Sequence, residues 1–600
     1  MSSEYIGTMI RESVKKFGAS VAMRYKENDV WKQITYNELG GLIKEVAKAL
    51  LEYDVKEGEM VGIFAQNMPQ WSIADFGILS VRGVSVPIYA TNTAKQAEYI
   101  VNDAEIRVLF VGDKVQYDKV TSFIDSSKYL KKVIVFDEKV QLKGAHSVYL
   151  KDFLELGKKS TKDSTVEERL GRGSVDDIAT LIYTSGTTGD PKGAILTHGN
   201  FAHQMRAIDE RFSVGVGDRS LCFLPLSHAY ERTWSYYVFR TGAENNYVAD
   251  QKKIVEFMPD VKPTAMVSVP RLYEKIYSTV FDRLKKASPA KVKLFHWALR
   301  TGKTYQYKKK NRKFIGPWLA VRHSLADALV LKKIRDVVGG PKNFFSAGGA
   351  PLSIDIEEFF FAAGLLVCQG YGLTESSPMI SCNAPGAFKF GTVGRPIKDC
   401  EVKIDDTGEI LARGGNIMKG YYKKPEATAD TLVNGWLKTG DVGIIDEDGF
   451  LKITDRIKDL IITSQGKNIA PQHIETLVGM DHYIEQIATI GDKRKYVTAL
   501  IVPSFVALEQ WAKENNISFS SREDLVKHPD VIKFYEKRIA DQSKELANYE
   551  KIKRFTLMAT EFTQDGGELT PTLKIKRKVV GEKYKELIDS MYADAGVAGD

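Results

Sequence analysis

Short apolar runs alternate with amphipathic stretches through the first two thirds of the chain. Val61–Ala65, Val108–Val111, Val133–Phe136 and Leu181–Tyr183 are continuous enough to predict strands buried on both faces. Tyr36–Leu51 and Ala94–Val101 carry the amphipathic pattern of helices between such strands. This alternation predicts α/β layers around largely parallel sheets. The texture changes around Glu401–Arg413 and Val442–Ile453. There the strands are short, and Asp448-Gly449 separates Gly443-Ile444-Ile445 from Phe450-Leu451-Lys452-Ile453. Asp-Gly between two apolar runs is a hairpin signal, so a smaller β-rich unit is expected. Beyond about Lys458 the chain turns polar and helical, with a few strands such as Tyr496–Val502. A boundary near Arg456–Lys458 follows, giving one domain over 1–456 and a second over 457–600. No internal repeat is visible.

Composition narrows the class without deciding it. Of 600 residues, 43% are hydrophobic and 27% charged, which excludes disorder, collagen and coiled coil. Cys222, Cys368, Cys382 and Cys400 are scattered without a CxxC pair, and the histidines show no metal-ligand spacing. The first twenty residues have no apolar core of the kind a secretory signal needs. The longest apolar run, Phe359–Cys368, is about half of the ~20 residues a membrane span requires. A reducing, cytoplasmic setting is therefore expected.

Charge matters once it is located. The whole chain nets +8, yet Arg283–Arg335 holds sixteen Lys/Arg against one acid, Asp327. That segment carries +15 and leaves −7 for the remainder. Local basicity of this size points to an anionic partner. Pieces such as Lys308-Lys309-Lys310-Asn311-Arg312-Lys313 lie beside Trp318-Leu319-Ala320-Val321 and Leu325. Cations beside aromatic and apolar residues suit a lipid interface, so a peripheral contact with the cytoplasmic membrane face is expected through 283–335. No recognition motif accompanies the charge, so nucleic acid is not an expected partner.

The most informative stretch is Tyr183-Thr184-Ser185-Gly186-Thr187-Thr188-Gly189-Asp190-Pro191-Lys192-Gly193. It follows an apolar strand and precedes a helix expected to open at Thr197. Its glycines permit close approach of backbone N–H groups to an anion, and its hydroxyls and lysine add donors. This is chemistry for holding a polyphosphate, although the GxxxxGK[ST] spacing is absent. Gln369-Gly370-Tyr371-Gly372-Leu373-Thr374-Glu375 ends another strand, with an aromatic face and polar groups side by side. Ser346-Ala347-Gly348-Gly349-Ala350-Pro351-Leu352 is a small-residue loop before a helix.

In this order, YTSGTTGDPKG and the motifs after it resemble the acyl-adenylate-forming superfamily over Leu181–Arg577. That group includes acyl-CoA synthetases, luciferases and peptide-synthetase adenylation domains. The resemblance implies a large N-terminal domain of two α/β subdomains and a β-rich one, followed by a small mobile α+β C-terminal domain. It implies that Thr184, Ser185, Gly186, Thr187, Thr188, Gly189, Lys192 and Thr374 hold ATP phosphates. Thr184 and Glu375 would hold Mg²⁺, a hard cation suited to oxygen ligands. Gly349, Ala350, Pro351 and Tyr371 would line the adenine, and Asp441 with Arg456 the ribose. Lys458 falls at the family's hinge, and Gly466 and Lys467 fall in its CoA loop. Lys574, in Leu569-Thr570-Pro571-Thr572-Leu573-Lys574-Ile575-Lys576-Arg577, aligns with the catalytic lysine, although Leu573 stands where glycine is usual. His228, in Pro225-Leu226-Ser227-His228-Ala229-Tyr230-Glu231-Arg232, would gate the acyl pocket rather than bind metal, and this pattern resembles long-chain fatty acyl-CoA synthetases most. The implied reaction is ATP-dependent formation of acyl-AMP from a long-chain fatty acid and transfer to coenzyme A. Delivery to a carrier protein, or a medium-chain or aryl acid, stays open as an alternative.

Overall fold

The computed structural model describes every residue except 1–3, 185–190, 251–252, 286, 341, 343, 457–460, 465–466, 545, 571–573 and 594–600. The chain is α/β, with several sheets in a large N-terminal part and a smaller C-terminal domain. The first sheet has seven strands. In spatial order they are Ser147–Tyr149, Lys132–Val135, Val108–Val111, Met60–Ala65, Val84–Tyr89, Ile178–Thr184 and Lys192–Thr197. All neighbours are parallel except the last pair. The predicted strands are therefore present, and their continuous apolar runs reflect burial on both faces.

A second sheet runs through Ala265–Ser268, Phe344–Ala347 and Val367–Gly372 in parallel, then antiparallel through Met379–Cys382 and Arg395–Pro396. A third, four-stranded sheet joins Arg219–Cys222 and Glu244–Tyr247 to the N-terminal hairpin Val21–Glu27/Val30–Thr35. The β-rich unit is a five-stranded antiparallel sheet that includes Glu409–Gly414, Trp436–Ile445 and Leu451–Arg456. Its last two strands form the hairpin expected around Asp448-Gly449.

The helix Tyr36–Glu52 begins where Thr35 and Glu38 cap each other's backbone N–H groups. The helix Pro69–Ser80 buries all but Gln70 and so lies within the layers rather than on them. Four later helices matter below: α1 (Ala229–Thr241), α2 (Pro289–Lys310), α3 (Pro317–Ala326) and α4 (Ile354–Ala362). Gly302 lets α2 approach α4 closely, because a Cβ there would meet the Ala362 carbonyl oxygen at 2.2 Å.

The C-terminal residues build their own core, from Ile461 to Met591. A sheet of Ile484–Ile490, Thr498–Pro503 and Arg554–Leu557 carries helices such as Pro471–Gly479 and Pro529–Gln542. This domain touches the N-terminal part through Arg271, which donates to the carbonyls of Gly479 at 3.3 Å and Glu485 at 3.2 Å. His482 and Asp282 meet at 3.2 Å in the same region.

The helix expected to open at Thr197 is present as His198–Arg211. The strand Lys192–Thr197, antiparallel to Ile178–Thr184 in a hairpin, comes before it and was not expected. Thr197 still caps the helix that follows, His198–Arg211, by a reciprocal exchange with Asn200.

Candidate functional site

Strand ends assemble the first cluster. Thr184 closes one arm of the hairpin and Lys192 opens the other, with the Thr184 hydroxyl 3.4 Å from the Lys192 carbonyl. The predicted phosphate residues Ser185, Gly186, Thr187, Thr188 and Gly189 lie outside the described residues. The Lys192 ammonium sits 5.3 Å from the ring centroid of Tyr421. The Tyr421 hydroxyl donates to Glu375 Oε1 at 2.8 Å. Thr374 and Glu375 begin a short turn just after the strand Val367–Gly372. That turn is anchored twice: Met418 N–H donates to the Glu375 carbonyl at 2.9 Å, and Gln204 donates to the Ser376 carbonyl at 3.1 Å. Buried Tyr89 ends its own strand nearby. Burial pushes its phenol pKa up, and the Glu375 charge adds to the effect. A carboxylate, an ammonium and several hydroxyls thus face the carboxyl ends of two parallel sheets, where open α/β folds bind ligands.

The second cluster stands on the β-rich sheet. Asp441 and Arg456 are direct cross-strand partners, and Arg456 Nε donates to Asp441 Oδ1 at 2.9 Å. The Tyr371 hydroxyl donates to Asp441 Oδ2 at 2.6 Å. Asp441 is buried, and Gly440 before it adopts φ +73°, a conformation that favours glycine. Burial and the Asp441 charge hold the Tyr371 phenol well above its ordinary pKa, so it stays a donor. Its ring is buried among Ile380, Ala412 and Leu451. The loop of Gly349, Ala350 and Pro351 is exposed, with Gly349 at φ +83°. Both ends of this loop are held: Gly348 N–H donates to the Ser268 carbonyl at 3.0 Å, and Leu352 N–H donates to Gln369 Oε1 at 3.1 Å.

The third cluster joins the two domains. His228 is the N-cap of α1, and its Nδ1 accepts from Tyr230 N–H at 3.1 Å. Burial pushes its imidazole down to about 4, and the positive charge of Lys574 pushes the same way. Lys574 is exposed; Thr570 N–H donates to its carbonyl at 2.8 Å and its own N–H donates to Thr570 Oγ1 at 3.0 Å. Next to His228, the Tyr230 hydroxyl lies 2.7 Å from Ser346 Oγ, which ties α1 to the strand leading into Gly349.

The structure thus groups Thr184, Lys192 and Glu375, then Tyr371, Asp441 and Arg456, then His228 and Lys574. It does not bring Lys467 to any of them; that ammonium lies 5.7 Å from the Tyr549 ring centroid, within its own domain. Lys458 and Gly466 lie outside the described residues. Tyr421, Tyr89 and Tyr230 escaped the sequence reading. Only Tyr230 sat inside a motif; the other two carry no spacing signal.

Parallel sheets meeting at their carboxyl ends, under a small domain that presents a lysine, define an adenylate-forming architecture. The adenylation domain of a carboxylate reductase from Mycobacterium chelonae shares it, with a TM-score of 0.75 at 21% identity, covering 98% of this chain and 91% of that one. The chain belongs to the AMP-binding enzyme family, whose model matches residues 10–422, while the model of the AMP-binding enzyme C-terminal domain matches 458–596. Among curated proteins it is 36% identical to the long-chain-fatty-acid–CoA ligase FadD15 of Mycobacterium bovis, over 94% of this chain and 93% of that one. It is 31% identical to the long-chain-fatty-acid–CoA ligase ACSBG2 of Xenopus laevis, over 98% of this chain and 84% of that one.

Proposed function

We propose that this enzyme is an AMP-forming ligase that joins long-chain fatty acids to coenzyme A. The hydrogen-bonded cluster of Tyr371, Asp441 and Arg456 in a chain of the AMP-binding enzyme family carries the reading, because a buried carboxylate held from two sides suits a ribose diol. The identity to long-chain ligases across nearly the whole chain supports the substrate class.

In the first half-reaction the fatty carboxylate attacks the α-phosphorus of ATP, giving acyl-AMP and pyrophosphate. Positioning and charge neutralisation do most of the work in such a displacement. Lys192, Thr374 and the hydroxyl loop hold phosphates. Asp441 accepts from the ribose hydroxyls, with Arg456 and Tyr371 fixing its carboxylate. Lys574 meets the charge that develops on the reacting oxygens. His228 stays neutral beside it and leaves the carboxylate unpaired for attack. Glu375 and the Thr184 hydroxyl are hard oxygen donors, and together with nucleotide phosphates they would hold Mg²⁺, which supplies further neutralisation. Among the described residues no group of three His, Cys, Asp or Glu could hold a metal alone, so the phosphates are needed as ligands.

In the second half-reaction the CoA thiol attacks the acyl-AMP carbonyl and AMP leaves. The separate core of the C-terminal domain supports a division at 456/457 and a rotation about Lys458. That rotation withdraws Lys574 and brings Gly466 and Lys467 toward CoA. Among the described residues no helix is long and apolar enough to cross a membrane. We read the segment 283–335 as a peripheral contact with an anionic membrane surface, from which a long-chain acid is drawn.

The test is AMP and pyrophosphate release from Mg·ATP with acids from acetate to oleate, with and without CoA. Long-chain, CoA-dependent acyl-CoA formation is expected. Pyrophosphate without acyl-CoA would hand the reaction to another acceptor. Lys574→Ala should slow adenylate formation by roughly 10²–10³ while sparing thioester formation from supplied acyl-AMP. Equal loss of both steps would refute its role.

A further inference from the structure

Helix α3 turns large apolar side chains outward. Trp318 is 72% exposed, Val321 62% and Leu325 54%, and their spacing of three and four residues puts them on one face. Phe314, in the loop before the helix, is 82% exposed, and Leu329 extends the stripe beyond it. The opposite face is well packed. Ala326 joins Ala298 of α2 and Leu331 in a small core, and the His323 ring stacks on Tyr305 of α2 at 3.8 Å. The stripe is therefore the outer face of a fixed helix, not a loose segment.

Uncancelled positive charge borders it. Among the described residues, Lys309, Arg312, Lys313 and Lys333 take part in no ion pair (the one acid of the segment, Asp327, is held by Arg335 through two bonds of 2.7 and 2.8 Å). An apolar stripe rimmed by free cations matches one surface chemistry well: an anionic bilayer, with aromatic rings at the headgroup level and lysines reaching the phosphates. A second copy of this chain would bring a like-charged rim against it. Nucleic acid would meet the cations but leave the stripe in water.

Resting on the ligase reading, we propose that α3 is the element that seats the enzyme on an anionic bilayer, with Trp318, Val321, Leu325 and Phe314 entering the headgroup boundary. The close contact of α2 and α4 at Gly302 makes this seat rigid with respect to the site. Helix α4 starts just past the Gly349–Pro351 loop and leads into the strand that carries Tyr371. Docking on α3 thus fixes the orientation of the nucleotide cluster toward the membrane, not merely its proximity.

The experiment is sedimentation of the full chain with phosphatidylcholine vesicles, with and without phosphatidylglycerol. The wild type should pellet with the anionic vesicles and be released by salt. Trp318→Ser/Val321→Ser/Leu325→Ser should weaken this by at least about tenfold while leaving the circular dichroism unchanged. Quenching by bromolipids should fall in Trp318→Phe although that variant still pellets. The proposal is overturned if the wild type ignores anionic vesicles, if the triple variant pellets as well as the wild type, or if the triple substitution instead converts a dimer to a monomer. Acyl-CoA formation from oleate held in neutral detergent micelles, without vesicles, is read in parallel. Its absence in the wild type would sink the ligase reading and leave the vesicle result standing.

Discussion

Helices α1 and α3 break the same rule in opposite directions. Helix α1 carries Glu231 and Arg232 into the interior, while α3 carries Trp318, Val321 and Leu325 into water. The difference lies in what answers each breach. Arg232 reaches both oxygens of Asp75, and it donates to the Tyr236 hydroxyl and to Thr180 Oγ1, each at 2.7 Å. Tyr236 in turn donates to Asp75 at 2.6 Å, and the guanidinium lies 5.3 Å from the Trp71 ring centroid. This network locks α1, the helix Pro69–Ser80 and the strand that ends at Thr184 into one piece. Among the described residues nothing covers the α3 stripe. A breach compensated inside the molecule is structural; one left open calls for a partner outside.

Substitutions can break this contrast, and the largest effect belongs to the interior. Arg232→Met would leave Asp75 buried without its cation, at a cost of about 3–5 kcal/mol. Urea unfolding should show a large fall in midpoint, and an unchanged midpoint would remove the network from the account. Glu231 comes next. It is fully buried, accepts from Leu224 N–H at 3.2 Å, and burial pushes its carboxyl up to about 8. The folded state therefore holds a proton that the unfolded chain releases, so stability falls as pH rises from about 4.5 through 8. Glu231→Gln removes that loss, and its melting temperature should gain on the wild type as pH rises across this window. A constant difference would show that the acid does not titrate there. Smallest is the triple serine variant of α3, whose stability should stay within about 0.5 kcal/mol of the wild type per site. A cost on the scale of Arg232→Met would mean that the stripe is packed inside the molecule after all.

The same contrast explains what could be read in advance. Val61–Ala65 and Val108–Val111 announced parallel strands because burial on both faces leaves no polar position. The hairpin at Asp448-Gly449 was legible from its turn residues. The strand Lys192–Thr197 was not, because Gly193-Ala194-Ile195-Leu196 is a short apolar run that fits a strand or the start of a helix equally. Asp441 and Arg456 were named only through resemblance; their direct pairing depends on register, which the fourteen intervening positions do not reveal. Tyr421 reaches Glu375 from a loop without a motif. Glu231 and Arg232 appeared within a pocket motif, yet their side chains serve the interior, since a motif records order along the chain and not the direction a helix face takes.

The neutral His228 has a further meaning. With its imidazole held near 4, it carries no charge from about pH 5.5 upward, so the positive potential at this spot comes from the Lys574 side of the domain boundary. Acidity then cannot serve as the control. If the C-terminal domain swings away as proposed, it takes one whole unit of charge with it, and the surroundings of His228 lose that charge by a mechanical act, without any proton being moved.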